Sequence, residues 1–284
     1  FDVNNLETAA AVLEAAVEKQ SPVIIAIPEF GARGVVSMET LFSHVARLAE
    51  QTPVPVALIL DHGRSLEAVV KAIRAGATAV MLDASTKPFE ENVAMTRQAA
   101  EIAHWAGVTA EGEIGHVGQG AQYATTVEDR RKLFTQPDQA AEFVERTCVD
   151  ALAVAIGTAH GHYSGTPVLD FELLEQLRDR IPTPMVLHGG SSSGDANLAR
   201  ACKLGVAKVN IYTDMATAAR DRVKATLAAE PNAQLGRLLM EVKLGFKEVS
   251  AHYMDVFGST GRAGKASGKK GVATEGDDDF ERGA

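Results

Sequence analysis

Pro55-Val56-Ala57-Leu58-Ile59-Leu60-Asp61-His62-Gly63 is a run of buried-type residues that ends on an acid beside a potential metal ligand. Two other apolar runs finish the same way: Ala153-Val154-Ala155-Ile156-Gly157-Thr158-Ala159-His160-Gly161 and Met185-Val186-Leu187-His188-Gly189-Gly190. Each reads as a strand of a parallel sheet, covered on both faces and so apolar almost throughout. Around them strand-like and amphipathic helical runs alternate, the pattern of repeated βα units. Strands are expected over residues 22–28, 54–61, 79–83, 108–114, 151–156, 184–187 and 208–211. Helices are expected over 6–18, 37–50, 65–74, 88–106 and 137–146, and after each of the last three strands. Seven strands are one short of a closed (β/α)8 TIM barrel. The missing first strand is placed immediately before Asn4-Asn5, truncated at Phe1. Residues 1–257 read as a single domain ending in an extra helix over 234–254. Residues 258–284, rich in Gly, Lys and Asp, read as a flexible tail with too few apolar groups to offset its ordering entropy.

Composition narrows the functional classes. The 284 residues are 46% hydrophobic, yet no apolar run approaches the ~20 residues needed to span a bilayer. The stretch Phe1-Asp2-Val3-Asn4-Asn5 does not read as a signal peptide, so a cytoplasmic protein is expected. Two cysteines, Cys148 and Cys202, are too few for a disulfide framework and are expected to be small buried side chains. A formal charge of -9 argues against nucleic acid as a partner. It also requires that any bound phosphate be held locally, by backbone N–H groups or a few cations.

In a barrel the C-terminal strand ends converge on one face. His62, His160 and His188 fall at the ends of the third, sixth and seventh of the eight expected strands. A single histidine there ordinarily makes a structural hydrogen bond. Three at equivalent places, each beside a glycine, favour one metal, and three neutral imidazoles with an open position make a catalytic zinc site. His44, His104, His116, His162 and His252 are left to ordinary roles, with His162 alone close enough to touch substrate. Asp61 has two readings, a structural cap or loop clamp, and proton transfer beside a polarised carbonyl. Alternation sends it to the opposite side from His62 unless the backbone turns there. Asp83 and Glu113 end the fourth and fifth strands and suit either a second cation or the orientation of the histidines. The last two strands end in Gly189-Gly190-Ser191 and Asn210-Ile211-Tyr212-Thr213-Asp214, where barrels frequently bind phosphate.

Taken together, Asp61-His62, Met81-Leu82-Asp83, Glu111-Gly112-Glu113, Phe134-Thr135-Gln136-Pro137, the 153–161 run, Leu187 to Ser191 and Lys208 to Asp214 resemble the class II, metal-dependent fructose- and tagatose-1,6-bisphosphate aldolase family. The similarity runs from Asn4 to about Gly261 and is greatest to the tagatose-type branch. The resemblance implies Zn2+ on His62, His160 and His188, with Asp61 giving a proton to the aldehyde oxygen as the carbon–carbon bond forms. It implies dihydroxyacetone phosphate held at Gly161, Gly189, Gly190, Ser191, Asn210, Tyr212 and Thr213, with a monovalent cation nearby. It also implies a homodimer or homotetramer.

The chain departs from the family pattern where the far end of the substrate is expected. Pro28-Glu29-Phe30 stands where a Ser or Thr followed by Gly usually contacts the distal phosphate, and an acid and a bulky ring there disfavour a second phosphate. Ile59 replaces a frequent histidine, and Ser164 a frequent lysine. The loop that usually carries Gly-Gly-x-Glu-Asp, with a catalytic Glu, reads Gly118-Gln119-Gly120-Ala121-Gln122, which leaves Glu128 or a group of the substrate as the base. The expected function is a zinc-dependent aldolase cleaving a ketose 1-phosphate to dihydroxyacetone phosphate and an aldehyde without a distal phosphate. One alternative is a tagatose- or fructose-bisphosphate aldolase whose distal phosphate is held by Arg33 or by a cation from a neighbouring subunit, such as Arg237 or Lys243 of the C-terminal helix. The other is a non-catalytic binder of metal and phosphosugar.

Overall fold

The computed structural model describes residues 1–29, 36–115, 117–119, 132–161, 163 and 167–264. Its strands are β1 (Val23–Pro28), β2 (Val56–Gly63), β3 (Ala79–Leu82), β4 (Thr109–Ile114), β5 (Gly118–Gln119), β6 (Ala151–Val154), β7 (Ala159–His160), β8 (Met185–Leu187) and β9 (Val206–Val209). Seven of them form one curled sheet in the order β1-β2-β3-β4-β6-β8-β9, every pair parallel. The short β5 and β7 pair with each other in a second ladder. The helices among the described residues are α1 (Leu6–Lys19), α2 (Met38–Glu50), α3 (Leu66–Arg74), α4 (Phe89–Trp105), α5 (Pro137–Thr147), α6 (Phe171–Arg180), α7 (Asp195–Lys203), α8 (Thr213–Ala229) and α9 (Leu235–Phe257).

Alternation along β2 sets the layers. Leu58 and Leu60 join the large core between sheet and helices, whereas Ile59 packs with Ala26, Ala79 and Ile24 in a small separate cluster on the other face. Strand and helix starts follow local chemistry. Asn5, Ser37, Ser65 and Asp170 cap α1, α2, α3 and α6, each side chain accepting a backbone N–H of the first turn.

Residues 1–3 lie where the truncated first strand was expected. Asp2 bridges Ala26 in parallel, and the N–H of Val3 reaches the carbonyl of Ala26 at 2.9 Å. On its other side, the N–H of Asp2 binds the carbonyl of Ile211 at 3.1 Å, just beyond β9. One short segment thus bonds to both edges of the seven-stranded sheet.

Four expectations change in detail. The last strand ends at Val209, so Asn210 and Tyr212 follow the strand rather than finish it. The long 153–161 run breaks after Val154, with Gly157 at φ +118°, and His160 lies on the separate β7. Cys148 is exposed at the left-handed C-cap of α5, and Cys202 is half-buried. Residues 258–264, read as the start of a tail, bind the end of α1: the N–H groups of Gly261 and Ala263 reach the carbonyls of Lys19 and Gln20, each at 2.9 Å. Residues 265–284 lie outside the described residues.

The helix α9, beyond the repeated units, packs on α8 and α1. Gly245 permits this approach, since a Cβ there would stand 2.6 Å from the backbone N and Cα of Ala219. Gly236, near the start of the same helix, faces open space. Gly245→Ala should destabilise the protein by about 1–3 kcal/mol. Gly236→Ala should be neutral or stabilising by up to about 1 kcal/mol. Urea unfolding of both variants checks this, and equal effects would mean that the α8–α9 contact is not as close as described.

Candidate active site

The end of β2 answers how Asp61 and His62 can face the same way. Between Leu60 and Gly63 the register slips, so that two residues of β2 bulge out between the rungs Leu60↔Val80 and Gly63↔Leu82. His62 sits in the bulge at φ +48°, a left-handed conformation that a non-glycine residue adopts at a cost of order 1 kcal/mol or more. Asp61, two residues after Ile59, keeps the face inside the curl, and the turn at His62 brings the imidazole round beside it. The His62 Nε2 lies 3.9 Å from an Asp61 carboxylate oxygen.

The three histidines converge from three places. The ring centroids of His62 are 5.1 Å from His160 and 4.7 Å from His188. One nitrogen from each lies within 4.8 Å of the others. Two of the rings are oriented from behind. Asp83, its other oxygen accepting from Ser85, binds His62 Nδ1 at 2.8 Å. Glu111 binds His188 Nε2 at 2.9 Å. The nitrogens left over, His62 Nε2 and His188 Nδ1, stand 3.1 Å apart, close to the roughly 3.3 Å separating two nitrogens on one tetrahedral zinc at ~2.0–2.1 Å. His62, Asp83 and Glu113 also bring ligand atoms within 4.8 Å of one another, and Glu113 Oε2 is buried without a partner among the described residues.

Charge in the site is set by burial and by these pairings. Burial would lower the His62 pKa, but Asp61 and the hydrogen bond to Asp83 outweigh it and raise the value to about 10. Burial, reinforced by His188 and His62, lowers His160 to about 3, so that its lone pair is available. Burial would raise Asp61, yet His62, His188, Lys208 and His160 hold it below the ordinary carboxylate range. Glu113 is pushed up by burial to about 7. Glu111, although buried, is held below its ordinary value by Lys208 and His188, with Lys208 Nζ 2.9 Å from its carboxylate.

Beside the histidines opens a pocket of about 60 Å3, lined by Asp2, Asp61, His62, His160, Gly161, Gly189, Ser191, Asn210, Tyr212 and Thr213. Gly189, at φ +66°, lies so close to β7 that a Cβ would stand 2.5 Å from the Ala159 carbonyl oxygen. Tyr163 fastens the same junction, its hydroxyl accepting from Ala159 N at 2.7 Å and donating to the Gly189 carbonyl at 2.9 Å. Asn210 Nδ2 donates to Asp61 at 2.9 Å. Ser191 Oγ accepts the N–H groups of Tyr212 and Asp214 at the start of α8. Gly190 backs the pocket, its N–H bound to the Asn210 carbonyl. The arrangement is three converging imidazoles beside an ionised acid and a small polar recess, able to polarise a carbonyl, move one proton and hold an anion at a helix start.

The sequence reading named all of the pocket lining but Asp2, and gave no role to three residues that support it, Glu111, Lys208 and Tyr163. Glu111 and Lys208 stand two residues before Glu113 and Asn210, on the same strand faces, so alternation was the available signal. Asp2 enters through the N-terminal segment, and its Oδ1 is buried without a partner among the described residues. Tyr163 carried no sequence signal. Pro28 pairs with Asp61 across the sheet, and Glu29 accepts the Arg64 N–H at 2.6 Å. Neither lines the pocket. His44, His104 and His252 bind the Thr40 carbonyl, Asp150 and Asp195, ordinary structural contacts. Phe30, Arg33, His116, residues 120–122, Glu128, His162 and Ser164 lie outside the described residues.

Residues 1–262 match the family model described as Fructose-bisphosphate aldolase class-II. A probable fructose-bisphosphate aldolase of Bacillus subtilis (strain 168) is 41% identical over 266 residues, covering 93% of this chain and 92% of the relative. The D-tagatose-1,6-bisphosphate aldolase subunit GatY of Klebsiella oxytoca is 38% identical over 266 residues, covering 92% of each. The crystal structure of the YdjI aldolase from Escherichia coli K12 superposes with a TM-score of 0.82 at 39% identity, covering 93% of this chain and 92% of that one. The chain therefore belongs to the class II fructose-bisphosphate aldolase family and is a class II aldolase, a carbon–carbon lyase. Members of this family are in general zinc-dependent.

Lys208 shares the buried Glu111 carboxylate with the His188 ring, and removing it leaves that carboxylate with His188 alone among the partners described. Lys208→Met should destabilise the protein by about 3–5 kcal/mol, and adding Glu111→Gln should recover part of that loss. Thermal and urea unfolding of the single and double variants measure it. A Lys208→Met protein as stable as the parent would mean that Glu111 does not depend on this ion pair.

Proposed function

We propose that the chain is a zinc-dependent aldolase that reversibly cleaves a ketose 1-phosphate to dihydroxyacetone phosphate and an aldehyde that need not carry a distal phosphate. The observation that carries this reading is the one pocket shared by Asp61, His62 and His160 with Gly161, Gly189, Ser191, Asn210, Tyr212 and Thr213. The donor set fits a zinc ion, because His62 and His188 are each oriented by a carboxylate through one nitrogen and leave the other beside its neighbour. His62, His160 and His188 would hold the ion, which when bound polarises the ketone and stabilises enediolate charge. Asp83 and Glu113 serve this reading as orienting groups or as partners of a second cation, and a monovalent cation near the phosphate is part of it. Residues 1–3, bonded to both sheet edges, are read as a short first strand that closes a (β/α)8 barrel. A cytoplasmic homodimer or homotetramer completes the reading; among the described residues no helix is long and apolar enough to cross a membrane.

The chain's own residues have distinct tasks. Asp61, ionised and steadied by Asn210, accepts the hydroxyl proton of the ketose as the carbon–carbon bond breaks, and returns it to the aldehyde oxygen in condensation. Phosphate fits beside Gly161, Gly189, Gly190 and Ser191 at the N-terminus of α8, where first-turn N–H groups lack intrahelical partners. At the far end, Glu29 keeps a carboxylate at the β1 rim, which opposes a second phosphate there. Pro28 and Phe30 complete that altered stretch. The second reading, a bisphosphate aldolase, needs a distal cation. Arg237 is engaged by Glu241, and Lys243 by Glu14 at 2.5 Å, so neither is a free distal cation in this chain, and with Glu29 at the rim the first reading is favoured.

Proton–deuterium exchange at the hydroxymethyl carbon of dihydroxyacetone phosphate, followed by NMR in heavy water, tests the chemistry. Zinc-loaded protein should exchange, and a chelator should abolish it; no exchange with zinc would remove dihydroxyacetone phosphate as the product that zinc activates here. Asp61→Asn should retain that exchange while cleavage of a ketose phosphate falls by about 10²–10⁴-fold. Equal losses in both would mean that Asp61 acts before the carbon–carbon step. A bisphosphate preferred over every ketose 1-phosphate would overturn the specificity half.

Zinc binding is expected to release protons. In the metal-free chain His62, at about 10, carries a proton that must leave before its Nε2 can bind, whereas His160, at about 3, has none to lose. Calorimetry at about pH 8 in buffers of different ionisation enthalpy should show at least one proton released per zinc. Heats independent of the buffer would show that no proton leaves His62 on zinc binding.

A further inference from the structure

The acid Asp214 stands in the first turn of α8, next to the proposed phosphate, where a free carboxylate would compete with an anion for the positive end of the helix. Three donors occupy it instead. Ser192 gives its N–H at 2.7 Å and its Oγ–H at 2.8 Å, and Tyr253, from α9, gives its phenolic O–H at 2.5 Å. Ser192 is held at φ +60°, a left-handed conformation that a serine leaves unless something fixes it. In return Ser191 Oγ accepts the Asp214 N–H. The turn at residues 191–193 and the start of α8 are thus bolted to each other in both directions, and α9 supplies the outer bolt. Neither Asp214 nor Tyr253 lines the pocket.

We propose that Asp214 and Tyr253 are positioning residues: the Tyr253–Asp214–Ser192 chain straps the turn after β8 to the start of α8 and so sets the shape of the phosphate-binding face. This role rests on the phosphate reading above. It also gives the additional C-terminal helix a task, since Tyr253 is buried and reaches Asp214 across 39 residues of chain. A strap of this kind acts on the phosphate end of the substrate and leaves the histidine cluster, built on β2, β7 and the end of β8, untouched.

Tyr253→Phe removes one O–H, and Ser192→Ala removes the other while leaving the N–H. The test is calorimetric binding of inorganic phosphate and of dihydroxyacetone phosphate to the full zinc-loaded chain. Zinc affinity is measured in parallel against a chromophoric chelator. Each variant should weaken both phosphate ligands by about tenfold, the effect of losing a hydrogen bond to a charged group, with zinc affinity unchanged. In turnover KM should rise with kcat largely retained. Phosphate binding within about twofold of the parent in both variants overturns the strap, and so does a parallel fall of phosphate and zinc affinity, which would mark general loosening. Failure of the parent chain itself to bind phosphate would remove the phosphate pocket and the strap together.

Discussion

The bulge at the end of β2 is the constraint on which the site depends. A regular strand would put Asp61 and His62 on opposite faces of the sheet, one toward the helices and one toward the curl. Slipping the register against β3 and holding His62 in a left-handed conformation brings both to one side. The strain is local, and the surroundings hold it: Asp83 grips the His62 ring, and the Asp83 N–H binds the Gly63 carbonyl at 2.8 Å. The strand that carries Asp61 and His62 is thereby tied to the next strand twice.

Around the bulge, acidic and basic side chains are layered so that each buried charge has a partner. Imidazoles face the pocket, carboxylates stand behind them, and Lys208 stands behind Glu111. Stripped of its cation, Glu111 would shed its charge on burial and cease to fix the His188 ring. Glu113 Oε2, beside Asp83 and His62, and Asp2 Oδ1 are the exceptions, buried carboxylate oxygens without a partner among the described residues. Such an oxygen marks a place where a proton or a cation completes the site.

The side of the recess at Gly189, Ser191 and the start of α8, the proposed phosphate side, is built differently, from backbone rather than from charge. The net charge of -9 works against anion binding overall, and the recess is lined by Gly161, Gly189, Ser191 and the start of α8. Backbone N–H groups bind an anion only when their directions are fixed, and fixing them falls to side chains outside the pocket. Tyr163 secures Gly189 from β7, and Asp214 secures Ser192 from α8. The C-terminal helix α9 contributes through Tyr253, and Gly245 lets it lie close enough to do so.

Hydrophobic alternation by itself determined the order of strands and helices, because burial on both faces leaves a strand apolar and burial on one face leaves a helix striped. Histidine followed by glycine at three run ends was enough to pick out the three imidazoles that converge, and Gly189 and Ser191 with Asn210, Tyr212 and Thr213 were read as neighbours of the recess they line. What stayed hidden were partners distant in the chain. Glu111, Lys208 and Asp2 meet the named residues only because the curled sheet brings remote strand ends together, and no local pattern records which strands become neighbours. Tyr163 and Tyr253 were equally silent, since an isolated tyrosine shows its hydroxyl partner only after folding. The turn at His62 was undecidable from composition: a bulge depends on how β2 registers against β3, and register is settled by packing between strands rather than within one.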